Sequence, residues 1–399
     1  MLKDRDIICI AAIEWESNWQ NAQELTSRLA AAGNRVLYIE NTGIRTPKLS
    51  EAGRVANKFR KWLRAFGRQG VTEVRPNAYV CSPLVLPPYG SPLRRLLNKR
   101  ILVPRIRAAV RRLGFRDPII LSYLPTDTAI SIAKTLKGKS GVVIYYRIDN
   151  FAPLSPRPEL IIESERKIIE LSDVVFANSE KLAEVPRKLG ARVHIFPPAV
   201  NLSAFPMVPA GQTKLNGQLE GFRRPLIGCV GGSAQHMDWQ MLAEAIRMRP
   251  DWSWVFVGPF RSPRADIENA ENVHFLGQLG HPELGKVVGK FDVCIIPYLL
   301  SEYTSTVVPT KLNEYLALGK PVVSTRLPAI LNFNAEHSVL ETAAQEPDAF
   351  LNSVETALAT AGNPDLIAKR RSIASKHEWD DRFAEMTDAI MGEIGRTRR

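Results

Sequence analysis

Eleven short runs of this chain are apolar or β-branched with little alternation, among them "IICIAAIE", "VVIYYRI", "DVCIIPY" and "PVVST". Such runs suit strands buried on both faces, which in soluble proteins means parallel strands covered by helices on either side. The opening shows the unit: "IICIAAIE" as strand, Ser17 as candidate cap, "NAQELTSRLAAAG" as helix ended by Gly33, then "RVLYIE" as strand. "AYVCSPLVL", "PIILSYL", "VVIYYRI" and "DVVFANS" continue the series. After a loop-rich stretch from Pro197 to Arg224, a second series begins: "PLIGCVGG", "WSWVFVGP", "NVHFLGQ", "DVCIIPY" and "PVVST". At 399 residues the chain exceeds what one core usually serves. The expectation is an α/β protein of two Rossmann-like doubly wound domains facing across a cleft, residues 1–200 and 222–377, with a final helix at about 378–399 crossing back to the first.

The charge is unevenly spread. Residues 1–200 hold 33 Lys and Arg against 18 Asp and Glu, whereas residues 201–399 hold 20 against 23. Residues 51–116 alone carry 16 basic and 2 acidic side chains. Within them, "NKFRKWLRAFGRQ" sets Phe59, Trp62, Leu63 and Phe66 at helical spacing among Lys58, Arg60, Lys61, Arg64 and Arg68, and "RRLLNKRILVPRIRAAVRRLG" follows from Arg94. An amphipathic cationic surface fits an anionic membrane leaflet, the plain alternative being a helix packed on its own domain. No run is long enough to span a bilayer, and the amino terminus reads as a first strand rather than a signal peptide, so the expected place is cytoplasmic, peripheral on the membrane's inner face. Nucleic acid is not an expected partner. Cys9, Cys81, Cys229 and Cys294 lack redox or metal spacing, and no histidine pairing suggests a metal.

The stretch "STVVPTKLNEYLALGKPVVST" places one acid, Glu314, in a short helix between two buried strands, with Pro309 in a first turn and Gly319 just past the end. A loop leaving a parallel strand and entering a helix is where backbone amides meet anions, and Ser305, Thr306 and Val307 are placed for that. A carboxylate at that junction can accept hydrogen bonds from a bound ligand. The plain alternative is an exposed Lys311–Glu314 ion pair.

With those residues in view, the chain resembles the GT-B-fold glycosyltransferases of the group classed as family 4 or "glycosyl transferases group 1", most strongly from "PLIGCVGG" to "PVVST". The opening looks like that of members that build bacterial surface polysaccharides, and "DVVFANSEKL" and "IFPPAVNLSAF" extend the likeness over most of the chain. The resemblance implies transfer of a sugar from a nucleotide sugar to a glycan or lipid-linked acceptor, with retention and without a metal or other cofactor. It assigns Glu314 to the ribose hydroxyls. The family's earlier Glu falls at Thr306, so Thr306 or Glu302 would take its contact with the sugar. Its basic pair after the first donor-domain strand is missing from "GGSAQHMDWQ". The diphosphate would then be met by Lys311, the 305–307 amides, the turn at Gly231, Gly232 and Ser233, and Arg261. Gln278 and Leu279 would offer backbone groups to the base.

On the acceptor side Trp15, Asn18 and Trp19 follow the first strand, Asp127 follows "PIILSYLP", and Asp149 and Asn150 follow "VVIYYRI". Indole faces stack on sugars, and Asp127 or Asp149 could orient or deprotonate a hydroxyl; packing and helix capping are the plain alternatives. A second reading is a catalytically silent relative serving as a membrane-associated partner in a polysaccharide assembly complex.

Overall fold

A computed structural model of the chain describes residues 2–17, 19–40, 70–83, 92–139, 141–205, 215–231, 234–259 and 265–397. It divides into two units, Met1–Pro197 with Phe383–Arg399, and Pro198–Arg382.

The first unit holds β1 (Asp6–Ile10), β2 (Arg35–Ile39), β3 (Val71–Arg75), β4 (Ala78–Cys81), β5 (Ile119–Ser122), β6 (Val143–Arg147), β7 (Val174–Ala177) and β8 (Val193–Ile195). They form one sheet in the order β3-β4-β2-β1-β5-β6-β7-β8. All pairings are parallel except β3 with β4. That antiparallel edge departs from the wholly parallel expectation. The strand Val71–Arg75 is polar and almost fully exposed, so it lacks the apolar signal that marks its neighbours. Central strands are buried along nearly their whole length. Ile8, Ile10, Leu37, Ile39, Ile120 and Val143 pack one face against Leu102, Val103, Ile106 and Val110 of the helix Pro92–Arg112.

The first helix, Asn21–Ala31, is not capped by Ser17. Its cap is Gln20, whose backbone N–H donates to Gln23 Oε1 at 3.0 Å, while Ser17 Oγ donates to Glu14 O. Glutamine can close a capping box as well as a hydroxyl can, but it carries a weaker sequence signal. The segment Phe59–Phe66, expected as an amphipathic helix, lies outside the described residues.

The second unit holds β9 (Leu226–Val230), β10 (Ser253–Val257), β11 (Val273–Gly277), β12 (Val293–Ile296), β13 (Val322–Thr325) and β14 (Glu341–Ala343). These form a sheet ordered β11-β10-β9-β12-β13-β14, parallel throughout. Alternate residues serve opposite faces. Cys294, Ile296 and Val322 face a core with Leu312, Tyr315, Leu316 and Ile373, whereas Val293, Ile295 and Val323 face Trp239, Leu242, Phe350 and Val354. The order reverses beside β9, between β10 and β12. In open α/β sheets that reversal opens a crevice at the strands' carboxyl ends.

The helix Trp379–Thr397 ends the described chain. Its first turn belongs to the second unit and the rest, from Phe383, to the first. There Glu393, 1% exposed, accepts from Arg192 Nη2 at 2.6 Å. Among the described residues no helix is long and apolar enough to cross a membrane. All four cysteines are free and buried; burial pushes Cys9 and Cys81 up to about 12 and Cys229 to about 11, so none is a poised thiolate.

Candidate active site

Four segments meet at the carboxyl end of β9 in the second unit. The strand stops against glycine: Gly231 N donates to Val257 O at 3.0 Å, and Gly258 N to Gly277 O at 2.8 Å. Gly258 has φ +135°, and a Cβ there would lie 1.8 Å from Gly231 O. Only glycine admits two backbones that close. The loop beyond Gly231 is tied to the one after β12, since Asp238 N donates to Pro297 O and Leu299 N to His236 O. His236 stacks on Tyr303 at 4.3 Å. Gly232, Ser233 and Arg261, expected at the phosphates, lie outside the described residues.

The helix Lys311–Ala317 closes the site. Pro309 precedes it, with Thr310 as N-cap, and Gly319 stands beyond its end at φ +72°. Tyr315 fixes its position: the buried phenol oxygen accepts from Val230 N at 2.8 Å, joining the helix to the last residue of β9. Lys311 is 6% exposed. Its Nζ lies 4.8 Å from the centroid of the Tyr298 ring and has no hydrogen-bond acceptor among the described residues. Burial pulls its pKa down, but Tyr298 and Glu314 beside it oppose that, and the net direction is upward.

Glu314 is half-buried by surface area, yet its carboxyl is closely surrounded by protein. Burial pushes it up to about 7, against a downward pull from Lys311. No ion pair joins the two, and Lys311 is not exposed, so the solvated Lys311–Glu314 pair weighed as the plain alternative does not exist. What exists is a buried cation without an anion and a carboxyl at the edge of ionisation.

The expected anion cradle at residues 305–307 is not formed. Ser305 N donates to Ser301 O, Thr306 N to Tyr303 O and Val307 N to Thr304 O, at 2.9, 3.1 and 3.2 Å. A 3₁₀ turn over Thr304–Thr306 consumes those donors. Thr306 Oγ1 is likewise given to Tyr303 O at 2.9 Å, and Glu302 is exposed. Gln278 is exposed after β11, and Leu279 packs on the core beneath it. Neither Tyr298, which lies under the Lys311 ammonium, nor Tyr315 was marked by the sequence. Tyr298 could have been found as the last residue of the "DVCIIPY" run.

In the first unit, Asp127 opens the helix Asp127–Leu136, but the cap is Thr126, whose Oγ1 accepts from Ala129 N at 3.2 Å. Asp127 Oδ1 accepts instead from Ser164 Oγ at 3.0 Å. Asp149 is half-buried just past β6, and Asn150 Oδ1 accepts from Ala152 N. Trp15 meets Trp19 and Tyr38 edge to face, and Trp19 Nε1 donates to Glu24 Oε2 at 2.6 Å. Asn18 lies outside the described residues.

Residues 224–360, which span β9 to β14 and include Lys311 and Glu314, match the family model described as Glycosyl transferases group 1. The second unit carries a glycosyl transferases group 1 domain. The whole chain has the GT-B fold. It is similar to sucrose-phosphate synthase from Thermosynechococcus elongatus, with a TM-score of 0.73 at 16% identity over 98% of this chain and 100% of that one. HepE of Anabaena, solved in complex with UDP, aligns with a TM-score of 0.65 at 12% identity over 97% of this chain and 100% of that one. WaaG, a glycosyltransferase involved in lipopolysaccharide biosynthesis, gives 0.63 at 14%, over 97% and 100%. Among curated proteins, TuaH of Bacillus subtilis strain 168, named for teichuronic acid biosynthesis as a glycosyltransferase, is 30% identical over 252 residues. That match covers 59% of this chain and 63% of TuaH, under two thirds of its length.

Proposed function

We propose that the chain is a glycosyltransferase of polysaccharide biosynthesis, moving a sugar from a nucleotide sugar to a glycan or lipid-linked acceptor. The carrying observation is the buried Lys311 ammonium with no acceptor, beside Glu314, in a group 1 domain. The nucleoside diphosphate supplies the missing anion to Lys311, and its ribose hydroxyls donate to the Glu314 carboxylate. The names of TuaH and WaaG support the polysaccharide setting, and the UDP in HepE supports a nucleotide at this fold.

In the reaction, the bond between the sugar's anomeric carbon and the phosphate oxygen breaks, and its electron pair leaves on the nucleoside diphosphate. The acceptor hydroxyl oxygen bonds the anomeric carbon on the face that the phosphate leaves, as retention requires, and its proton passes to an acceptor-side carboxylate. Asp149 and Asp127 are the candidates. Charge grows on the departing phosphate, and a preorganised cation is worth on the order of 3 kcal/mol there. Retention and independence of metal belong to this reading, as does a place on the inner face of an anionic membrane.

One observation favours the catalytically silent reading: the 305–307 amides and the Thr306 hydroxyl are engaged within the chain. Thermal shift with UDP, GDP and ADP, followed by transfer assays from their sugars, separates the two. Stabilisation with turnover supports the enzyme. Stabilisation without turnover on any acceptor supports the silent partner, and no stabilisation removes the enzyme.

A further inference from the structure

The helix Pro92–Arg112 has two apolar faces where a helix on a soluble domain needs one. Its inner face, Leu102, Val103, Ile106 and Val110, is already seated in the core of the first unit. Its outer face shows Leu93, Leu96, Leu97 and Ile101, respectively 63%, 45%, 37% and 46% exposed. Their spacing, i, i+3, i+4 and i+8, makes one stripe. They are four of the twelve large apolar side chains exposed among the described residues, so the stripe is a concentration and not background.

Charge identifies the occupant. Lys99, Arg100, Arg105, Arg107, Arg111 and Arg112 are exposed on the same helix, and no acidic residue occurs between Glu73 and Asp117. Aliphatic side chains bordered by cations and free of acid are the composition of a helix lying in a membrane interface; a groove for nucleic acid has no use for four exposed aliphatics. We propose that this helix seats the protein on an anionic bilayer, with Leu93, Leu96, Leu97 and Ile101 entering the acyl boundary and the basic side chains meeting phosphate headgroups. The inference rests on the membrane partner named above and on nothing at the donor site.

The test is co-sedimentation of the full chain with phosphatidylcholine vesicles and with phosphatidylcholine–phosphatidylglycerol vesicles, in the absence of nucleotide. Binding is expected only to the anionic vesicles, with release at high salt. Arg100→Gln with Arg107→Gln lowers partitioning roughly 30-fold, from the usual attraction of two basic side chains to an anionic surface. Leu93→Ser with Leu97→Ser and Ile101→Ser lowers it at least about tenfold, while an unchanged circular-dichroism spectrum and melting temperature report an intact fold. Because the four native cysteines are buried, Leu97→Cys can be labelled alone with an environment-sensitive dye, whose emission shifts to the blue on anionic vesicles. Unchanged emission, equal binding to neutral vesicles, or serine variants that bind as the parent does would overturn the proposal. So would a parent that ignores vesicles and whose serine variants change only its oligomeric state, since the stripe would then join copies of the chain. Loss of UDP stabilisation in the parent would count against the donor reading alone.

Discussion

Lys311 and Glu314 stand three residues apart on a seven-residue helix without neutralising one another. A desolvated cation–π contact returns about 2 kcal/mol, whereas removing an ammonium from water costs several. Lys311→Met is expected to leave the melting temperature of the unliganded protein within about 1 kcal/mol of the parent's, and to abolish stabilisation by UDP. A variant that UDP stabilises as much as it does the parent would refute that account. Glu314 gives a pH signature. Its folded value of about 7 lies above its ordinary 4.5, so the folded state holds the proton more tightly. Stability is fully present below 4.5 and is lost as pH rises to about 7. Glu314→Gln should match the parent near pH 4.5 and exceed it at pH 8 by on the order of 2 kcal/mol, as read by denaturant titration. Nucleotide binding by the parent should strengthen over the same interval as the carboxylate forms.

At the scale of elements, the site is set by two close fits. Gly258→Ala would drive a methyl into Gly231 O and part the ends of β9 and β10, so a loss of about 3 kcal/mol or more is expected by chemical denaturation. A substitution tolerated within 1 kcal/mol would mean that the turn relaxes freely. Tyr315→Phe leaves the Val230 N–H buried and unpaired, a cost of roughly 1–3 kcal/mol. Both strands of that argument were partly legible in the sequence. Runs such as "DVCIIPY" and "PVVST" announced β12 and β13 because strands buried on both faces carry a continuous apolar signal. The place of Glu314 on a short helix between them was legible from the same runs. The exposed edge strand Val71–Arg75 and the three-residue edges β8 and β14 carried no such signal. Nor could residue order show that the amides of Ser305, Thr306 and Val307 turn back on their own loop, because that depends on a turn whose partners are backbone carbonyls.

At the scale of the molecule, two parallel-sheet units share one chain, and the basic excess belongs to the amino-terminal half. The last helix is part of the first unit's core, through buried Met386, Ile390 and Ile394 and the Arg192–Glu393 pair. A chain ended after Arg382 should consequently lose cooperative unfolding of the first unit, seen as an earlier, separate transition in calorimetry. The residues of the proposed donor site, Lys311 and Glu314, lie in the second unit, and the claim about them is the one on which the proposed chemistry depends. Isothermal titration of UDP, GDP and ADP into the parent and into Lys311→Met at pH 8 tests it most directly. At least one nucleotide should bind the parent and lose at least about tenfold in affinity to the variant, in keeping with a charge-assisted contact. Equal affinity in the two proteins, or no binding of any nucleotide to the parent, would contradict it.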